Sequence, residues 1–246
     1  MLNFLILGSK DQLVACHDQL MAYQHLLNGV TAIDELQQSL LELMSDKKTT
    51  PPEEQDFAQK LDLIKKICLD CKRCGLRKAC QQVVFGRGNP GARLMLVGEG
   101  PGGEEDRQGL PFVGRAGQLL DRILDAAQIK QEEVYITNVV KCRPPANRQP
   151  FHEEVNACLP HLQKQIELLN PEIIVCLGVL ASRSLINKSI AITRCRGQWY
   201  KKEGRSYMAT FHPAALLRDP GKKKFVWEDF KQIAEVYNYV DNGGCN

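Results

Sequence analysis

An apolar run that ends in a glycine-rich turn is the feature that most constrains how this chain can fold. Residues 94–97 form the run, and the turn that follows reads Gly98-Glu99-Gly100-Pro101-Gly102-Gly103. A pattern of helical period begins soon after it, near Arg115. A strand, a glycine turn and a helix in this order place backbone N–H groups around a polar or anionic ligand. The turn is neither a P-loop nor a clean dinucleotide fingerprint, so it predicts a ligand pocket at a strand end.

Strand and helix patterns alternate along the rest of the chain. Near-continuous apolar segments predict strands at residues 92–98, 134–140, 172–177 and 207–211. Segments of helical period predict helices at residues 57–67, 115–127, 151–169, 179–186 and 224–237. Apolar strands separated by helices are typical of a parallel sheet that is covered on both faces. Residues 199–207 predict a hairpin that leads into the last strand.

Residues 1–50 differ in character from the remainder of the chain. Two segments of helical period flank Asn28-Gly29, and a polar segment with two prolines follows at residues 45–54. We therefore expect a helical N-terminal appendage with its linker at residues 1–50, and a main domain at residues 51–246. Residues 1–60 have a net charge of −5 and the remainder +8, so the basic surface is expected on the main domain.

The sequence predicts neither a membrane span nor a secretion signal. No apolar run reaches the roughly 18 residues that a spanning helix needs. The N-terminal apolar run has no basic segment before it, as a signal peptide would. We therefore expect a cytoplasmic protein without a membrane partner.

Cysteines form the second informative pattern. Ten are present, and in a reducing compartment metal or cluster ligation is a better explanation for them than disulfide bonds. Residues 68–80 contain two overlapping C-x2-C pairs, and a later pair is separated by sixteen positions. Cys71 and Cys74 with Cys142 and Cys158 make a two-plus-two set of thiolates. A C-x2-C pair alone does not choose between zinc, an iron–sulfur cluster and a redox role.

A polar side chain stands at the end of three of the four predicted strands. These residues are Glu99, Asn138 and His212. In an open parallel sheet, ligands bind outside the carboxyl ends of the strands. Each residue alone has an ordinary explanation, such as a surface carboxylate, a turn cap or a core imidazole. Their common position at one sheet edge favours a shared cleft in which all three meet.

Four motifs in order resemble the family 4, or iron–sulfur, uracil-DNA glycosylases, and the match extends over residues 60–240. They are Gly98-Glu99-Gly100-Pro101-Gly102, Gly109-Leu110-Pro111-Phe112-Val113-Gly114, Thr137-Asn138-Val139-Val140-Lys141-Cys142-Arg143-Pro144-Pro145 and His212-Pro213-Ala214-Ala215-Leu216-Leu217-Arg218. The resemblance implies an α/β fold, a three-layer α/β/α sandwich with a four-stranded parallel sheet. It also implies a structural 4Fe-4S cluster held by Cys71, Cys74, Cys142 and Cys158, with Cys68 and Cys80 as competing ligands.

The family hydrolyses the N-glycosidic bond of uracil in DNA after the base has left the stack, which begins base-excision repair. By this resemblance Phe112 stacks on uracil, Asn138 reads its O4 and N3–H and rejects cytosine, and His212 stabilises charge at O2. Family 1 enzymes carry an Asp where Gly100 stands here, so Glu99 and the backbone of residues 100–102 are left to position the water. The implied catalytic residues are Glu99, Asn138 and His212, and the implied uracil-binding residues are Gly98, Glu99, Gly100, Gly102, Phe112, Asn138 and His212.

The resemblance also implies contacts with DNA. Leu216 resembles the wedge that fills the gap left by the flipped base, although ordinary helix packing explains a leucine there equally well. Arg218, Lys222 and Lys223 are then expected to bind phosphates near it. The expected partner is uracil-containing DNA, single- or double-stranded, and the protein is expected to act as a monomer.

Three other hypotheses stay open. The first is that the chain is a damage-recognition protein of the same fold with weak or no activity. The second is that the chain is a relative of the kind that links covalently to uracil DNA. Such relatives carry an insertion with arginine and histidine, which residues 143–148 lack. A zinc protein that uses the same four thiolates is the third alternative.

Overall fold

The structure, a computed structural model, describes residues 52–241. The predicted appendage at residues 1–50 lies outside the described residues. Helix α1 (Pro52–Leu69) begins at the second of the two prolines, so the end of the predicted polar linker is helical instead. Proline suits the first turn of a helix, where a backbone N–H has no partner within the helix. In the described range, no helix is long and apolar enough to cross a membrane.

One mixed sheet forms the centre of the described fold. Its strands are β1 (Arg87–Gly88), β2 (Leu94–Gly98), β3 (Val134–Asn138), β4 (Ile173–Leu177), β5 (Trp199–Lys202) and β6 (Arg205–Thr210). They lie in the order β1-β3-β2-β4-β6-β5. The central strands β3, β2, β4 and β6 run parallel, and β1 and β5 add antiparallel edges. The predicted four-stranded parallel sheet is confirmed, and so is the hairpin, while β1 is too short to be predicted.

Helices lie on both sides of the sheet. They are α2 (Leu76–Ala79), α3 (Gly103–Gln108), α4 (Arg115–Ala126), α5 (His152–Leu169), α6 (Val179–Leu185), α7 (Ile192–Cys195), α8 (Pro213–Arg218) and α9 (Lys223–Asp241), with 3-10 turns at Gln131–Glu133, Pro145–Asn147 and Pro220–Lys222. Helices α1, α4, α5, α6 and α9 match the five predicted helices to within five residues, and α2, α7 and α8 were not predicted. Helix α3, inside the glycine-rich segment, is also an unpredicted addition. It is capped by Glu105, whose carboxylate accepts the backbone N–H of Gly102 at 3.1 Å.

The buried strands separate two apolar cores. Alternate residues of a strand point to opposite faces, so Val97 belongs to one core and Leu96 to the other. Helix α5 contributes Leu162 to the first core, and α4 and α9 contribute Leu120 and Phe230 to the second. This arrangement confirms the three-layer α/β/α sandwich, and it fixes the carboxyl ends of the parallel strands as one rigid edge.

Candidate active site

A cleft of about 410 Å³ opens at the carboxyl ends of the parallel strands. Glu99 follows β2, Asn138 ends β3 and His212 follows β6. All three residues line the cleft together with Phe112. The volume is that of a small-molecule site. Of the other residues predicted to bind uracil, Gly100 and Gly102 also line the cleft, and Gly98 lies next to Asn138.

Asn138 brings an unpaired amide oxygen to this cleft. The residue is 1 % exposed, and its Oδ1 atom is buried without a hydrogen-bond partner. Gly98 is paired with it across strands β2 and β3. A Cβ on Gly98 would overlap Oδ1 of Asn138 and would lie 2.6 Å from Cζ of Phe112. The glycine thus leaves the space that the amide and the ring occupy, and no donor among the described residues bonds to the amide oxygen.

His212 presents a neutral N–H donor. Its ring stacks on Phe112 with the centroids 5.5 Å apart. The backbone N–H of Ala214 donates to Nδ1 at 3.1 Å, so the proton of the neutral ring lies on Nε2. Burial, and secondarily the positive charge of Arg218, lower the pKa of His212 to about 4. Near pH 7 the ring is therefore uncharged.

The loop that carries Phe112 is fixed by contacts from three directions. Phe112 has a φ of 54°, in the left-handed region that an aromatic residue rarely adopts. Arg87 donates to its carbonyl oxygen at 3.3 Å, and Glu105 accepts the N–H groups of the next two residues at 3.0 and 2.9 Å. Helix α4 approaches at Gly117, where a Cβ would overlap the Phe112 carbonyl group. These contacts hold the ring against His212.

Glu99 places a half-buried carboxylate in the cleft. Burial raises the pKa of Glu99 above its usual value, and the positive charge of Arg218 opposes that rise. Arg218 lines the same cleft from the end of α8. The guanidinium therefore favours the ionised form of the carboxylate and the neutral form of His212.

The segment after β3 forms another part of the cleft wall. Arg148 lines the cleft and is held by two hydrogen bonds to the Glu154 carboxylate, at 2.8 and 2.7 Å. Its guanidinium lies 3.8 Å from the centre of the exposed Phe151 ring. The wall thus carries a guanidinium in a fixed position, with its charge balanced by that of Glu154.

A second cavity is lined by thiols. The cysteines around it are Cys68, Cys71, Cys74, Cys142 and Cys158, all of them free. Burial raises the pKa of the Cys142 thiol, and so, to a smaller extent, does its contact with Cys80, which is not among the lining residues. Within residues 52–241, no three His, Cys, Asp or Glu side chains converge as a single-ion site requires. The five thiols line a common cavity, but they do not converge on a position where one metal ion could bind them.

Lys141 lies between the thiol cavity and Asn138. Its side chain is fully buried and donates to Thr137 Oγ1 and Gln165 Oε1 at 2.5 Å each, and to the Asn138 carbonyl oxygen at 2.8 Å. Its backbone N–H donates to Cys158 Sγ at 3.2 Å. Burial lowers the pKa of Lys141 to about 8. The ammonium group fixes the peptide that carries the Asn138 side chain.

The predicted wedge needs a correction. Leu216 is 1 % exposed and packs in the core between the sheet and helices α4 and α9. Helix α8 turns this side chain inward, so Leu216 is not available to a base stack in this conformation. The next residue, Leu217, is 38 % exposed. Of the basic residues predicted to bind DNA, Arg218 and Lys223 are exposed and Lys222 is half-buried.

Several residues that support the cleft are absent from the predicted set. Glu105 has a local signal, because it stands three residues after the helix cap at Gly102, which is the spacing of a capping box. Arg87 and Lys141 act partly through hydrogen bonds to distant groups, Arg87 to Pro111, Phe112 and Asp121 and Lys141 to Gln165. No pattern of spacing in the sequence predicts those partners.

Known proteins resemble this chain over most of the described fold. A family model described as the uracil DNA glycosylase superfamily matches residues 85–232. The type-4 uracil-DNA glycosylase of Sulfurisphaera tokodaii is 42% identical over 185 residues, which cover 72% of this chain and 84% of that protein. The type-4 uracil-DNA glycosylases of Archaeoglobus fulgidus and Thermotoga maritima are 41% and 43% identical, over 72% and 70% of this chain and 94% and 92% of their own.

Substitution of Gly98 tests whether the packing around the cleft depends on the absence of a side chain at this position. We expect Gly98→Ala to lower the free energy of unfolding by about 1–3 kcal/mol, because the new methyl group overlaps Asn138 and the Phe112 ring. Urea unfolding followed by circular dichroism measures the change. Gly91→Ala is the matched control, since a Cβ there meets only Asn89 Oδ1 at an ordinary 3.4 Å. Equal stability of the two variants would contradict the expected crowding.

Proposed function

The chain belongs to the uracil-DNA glycosylase superfamily, and from that membership we propose that it hydrolyses the N-glycosidic bond between uracil and deoxyribose in DNA. The reaction releases uracil, leaves an abasic site and begins base-excision repair. The proposal is carried by the convergence of Asn138, His212 and Phe112 on one cleft of small-molecule volume. The target base has to leave the base stack to enter it.

Asn138 supports the recognition of uracil. Its unpaired Oδ1 accepts the N3–H of the base, and its amide N–H donates to O4. Cytosine presents the reverse pattern, an acceptor at N3 and a donor at C4, and would leave buried polar groups unpaired. The amide would need to turn over to suit cytosine. Lys141 holds the backbone carbonyl of Asn138, which fixes where the amide stands in the cleft.

His212 supports departure of the base. Negative charge develops on O2 of uracil as the glycosidic bond breaks, and the Nε2–H of His212 is a donor for it. A neutral, fixed donor in a buried site stabilises such charge without reorganisation. Stacking of the base on Phe112 sets its plane, and the ring of His212 lies against the same phenyl group.

Glu99 supports the sugar side of the reaction. The deoxyribose becomes positively charged in an oxocarbenium-like transition state. A carboxylate beside it stabilises that charge and positions the attacking water. The raised pKa of Glu99 means that the carboxylate forms at a higher pH than that of an exposed glutamate, while Arg218 limits the rise.

The cofactor that we propose is a structural 4Fe-4S cluster bound by Cys71, Cys74, Cys142 and Cys158. All four thiols line one cavity, and thiolates that each bind a different iron surround a space rather than a point. Burial raises the pKa of the Cys142 and Cys158 thiols, so the protein alone does not stabilise their thiolates, whereas bound iron does. When bound, the cluster would join the segment after α1 to the loop after β3.

For the DNA interface, we propose that Arg218, Lys222 and Lys223 contact phosphates beside the cleft. Leu217 takes the place of Leu216 as the candidate wedge, because it is the exposed leucine of α8. We further propose that the catalytic domain is residues 51–246 and acts as a monomer on single- or double-stranded DNA. In support, every residue assigned to the chemistry comes from one chain and from the range 98–218.

Release of uracil under single-turnover conditions tests the proposed function. The substrate is an oligothymidylate with one uracil, since thymine does not titrate in the acid range. We expect the wild type to cleave it, and His212→Ala to be roughly 10²–10³-fold slower, the usual loss when one donor to a developing anion is removed. His152→Ala is the matched control, because this exposed histidine lies outside the cleft. Binding without uracil release by the wild type would support a damage-recognition protein instead.

The pH dependence of the single-turnover rate tests the role assigned to Glu99. Because its pKa is raised, we expect the rate to fall on the acid side at a pH above the usual glutamate value. Arg218→Gln removes the charge that lowers this pKa, so the fall should move to higher pH. In Glu99→Gln this limb should vanish, leaving the titration of His212 near pH 4.

Lys223→Gln controls for the loss of one positive charge. Lys223 is exposed and does not line the cleft, so this variant should bind DNA more weakly without moving the acid limb. Saturating enzyme removes the effect of weaker binding from the measured rate. A Glu99→Gln variant with the full wild-type rate and an unchanged acid limb would rule out the carboxylate as a catalytic group.

A further inference from the structure

His161 lines the thiol cavity from helix α5. It follows Cys158 by three residues, so both side chains project from the same face of the helix. The residue is 5 % exposed, and the cavity that it lines is the one lined by the five thiols. Its Nε2 atom is buried and has no hydrogen-bond partner among the described residues. Buried polar atoms without a partner are uncommon, so a group held in the cavity is the expected partner.

We propose that Nε2–H of His161 donates a hydrogen bond to a sulfur atom of the iron–sulfur cluster. The inference rests on the cofactor proposed above and adds one residue to its four cysteine ligands. A direct bond from the imidazole to iron is not required, because five thiols already line the cavity. Thiolate sulfur is also the preferred ligand of such clusters. The ring is thus left to act through its N–H.

A donor in this position has measurable consequences. Hydrogen bonds to the sulfur atoms help to set the reduction potential of a cluster, and they favour the more electron-rich reduced state. Groups that bond to metal ligands also change metal affinity, typically by roughly 10–100-fold. His161 is therefore expected to raise the reduction potential of the cluster and to slow the loss of iron in air.

Three variants of the full chain separate donation from packing. His161→Phe keeps an aromatic ring and removes the donor, and His161→Gln restores an N–H of similar reach. His152→Phe changes an exposed histidine on the same helix and serves as the matched control. Each protein is purified without oxygen, assayed for iron and sulfide, titrated to its midpoint potential, and then followed by visible absorbance in air.

We expect His161→Phe to have a lower midpoint potential and to lose its absorbance roughly tenfold faster than the wild type. The Gln variant and the His152 control should stay close to the wild type. If Phe does not fit, His161→Met serves as the second variant without a donor.

Different results overturn different claims. A wild type that contains iron and a Phe variant with the same potential and decay rate would overturn the hydrogen bond alone. Equal damage in the Phe and Gln variants would assign His161 a packing role and overturn it as well. A wild type with stoichiometric zinc and no iron would overturn the cofactor itself, before any variant is compared.

Discussion

The buried ammonium group of Lys141 is the interaction on which the candidate site depends. An isolated charge in a protein interior is strongly destabilising, so all three of its N–H donors need acceptors. They find them on Thr137 in β3, on Gln165 in α5 and on the Asn138 carbonyl group. The charge is therefore tolerated only when the end of β3 and helix α5 are packed so that all three acceptors surround the ammonium group. That arrangement also fixes the backbone from which the Asn138 side chain enters the cleft, so the partners that Lys141 needs also position Asn138.

The parallel sheet explains why groups far apart in sequence can act together. Strands β2, β3 and β6 end at the same edge of the sheet, and the carboxylate, the amide and the imidazole stand at these ends or within two residues of them. The supporting contacts lie behind this edge. Gly98 removes a side chain where Asn138 and Phe112 come together, and Glu105 holds the backbone that follows Phe112. The edge supplies the position of each group, and these contacts supply its orientation.

The sequence was sufficient for the strands and for the groups at their ends, because both follow from local pattern. Fully buried parallel strands are continuous apolar runs, and a polar residue that ends such a run stands out, as Asn138 does. The contacts of Lys141 with Gln165 and of Arg87 with Asp121 could not be predicted in this way, since the fold and not the spacing brings these residues together. Leu216 fails for a related reason: the motif fixes its place in helix α8, but the packing of that helix on the second core decides that Leu216 points inward and Leu217 outward.

Arg218 links the two ionisable groups of the cleft. Burial acts on Glu99 and His212 in the same sense, because it disfavours the charged form of each. The proposed chemistry needs opposite states, a charged carboxylate near the sugar and an uncharged donor near the base. A nearby positive charge lowers both pKa values, which ionises the acid and further discourages protonation of the imidazole. A single guanidinium at the end of α8 thus shifts both pKa values in the direction that the proposed chemistry needs.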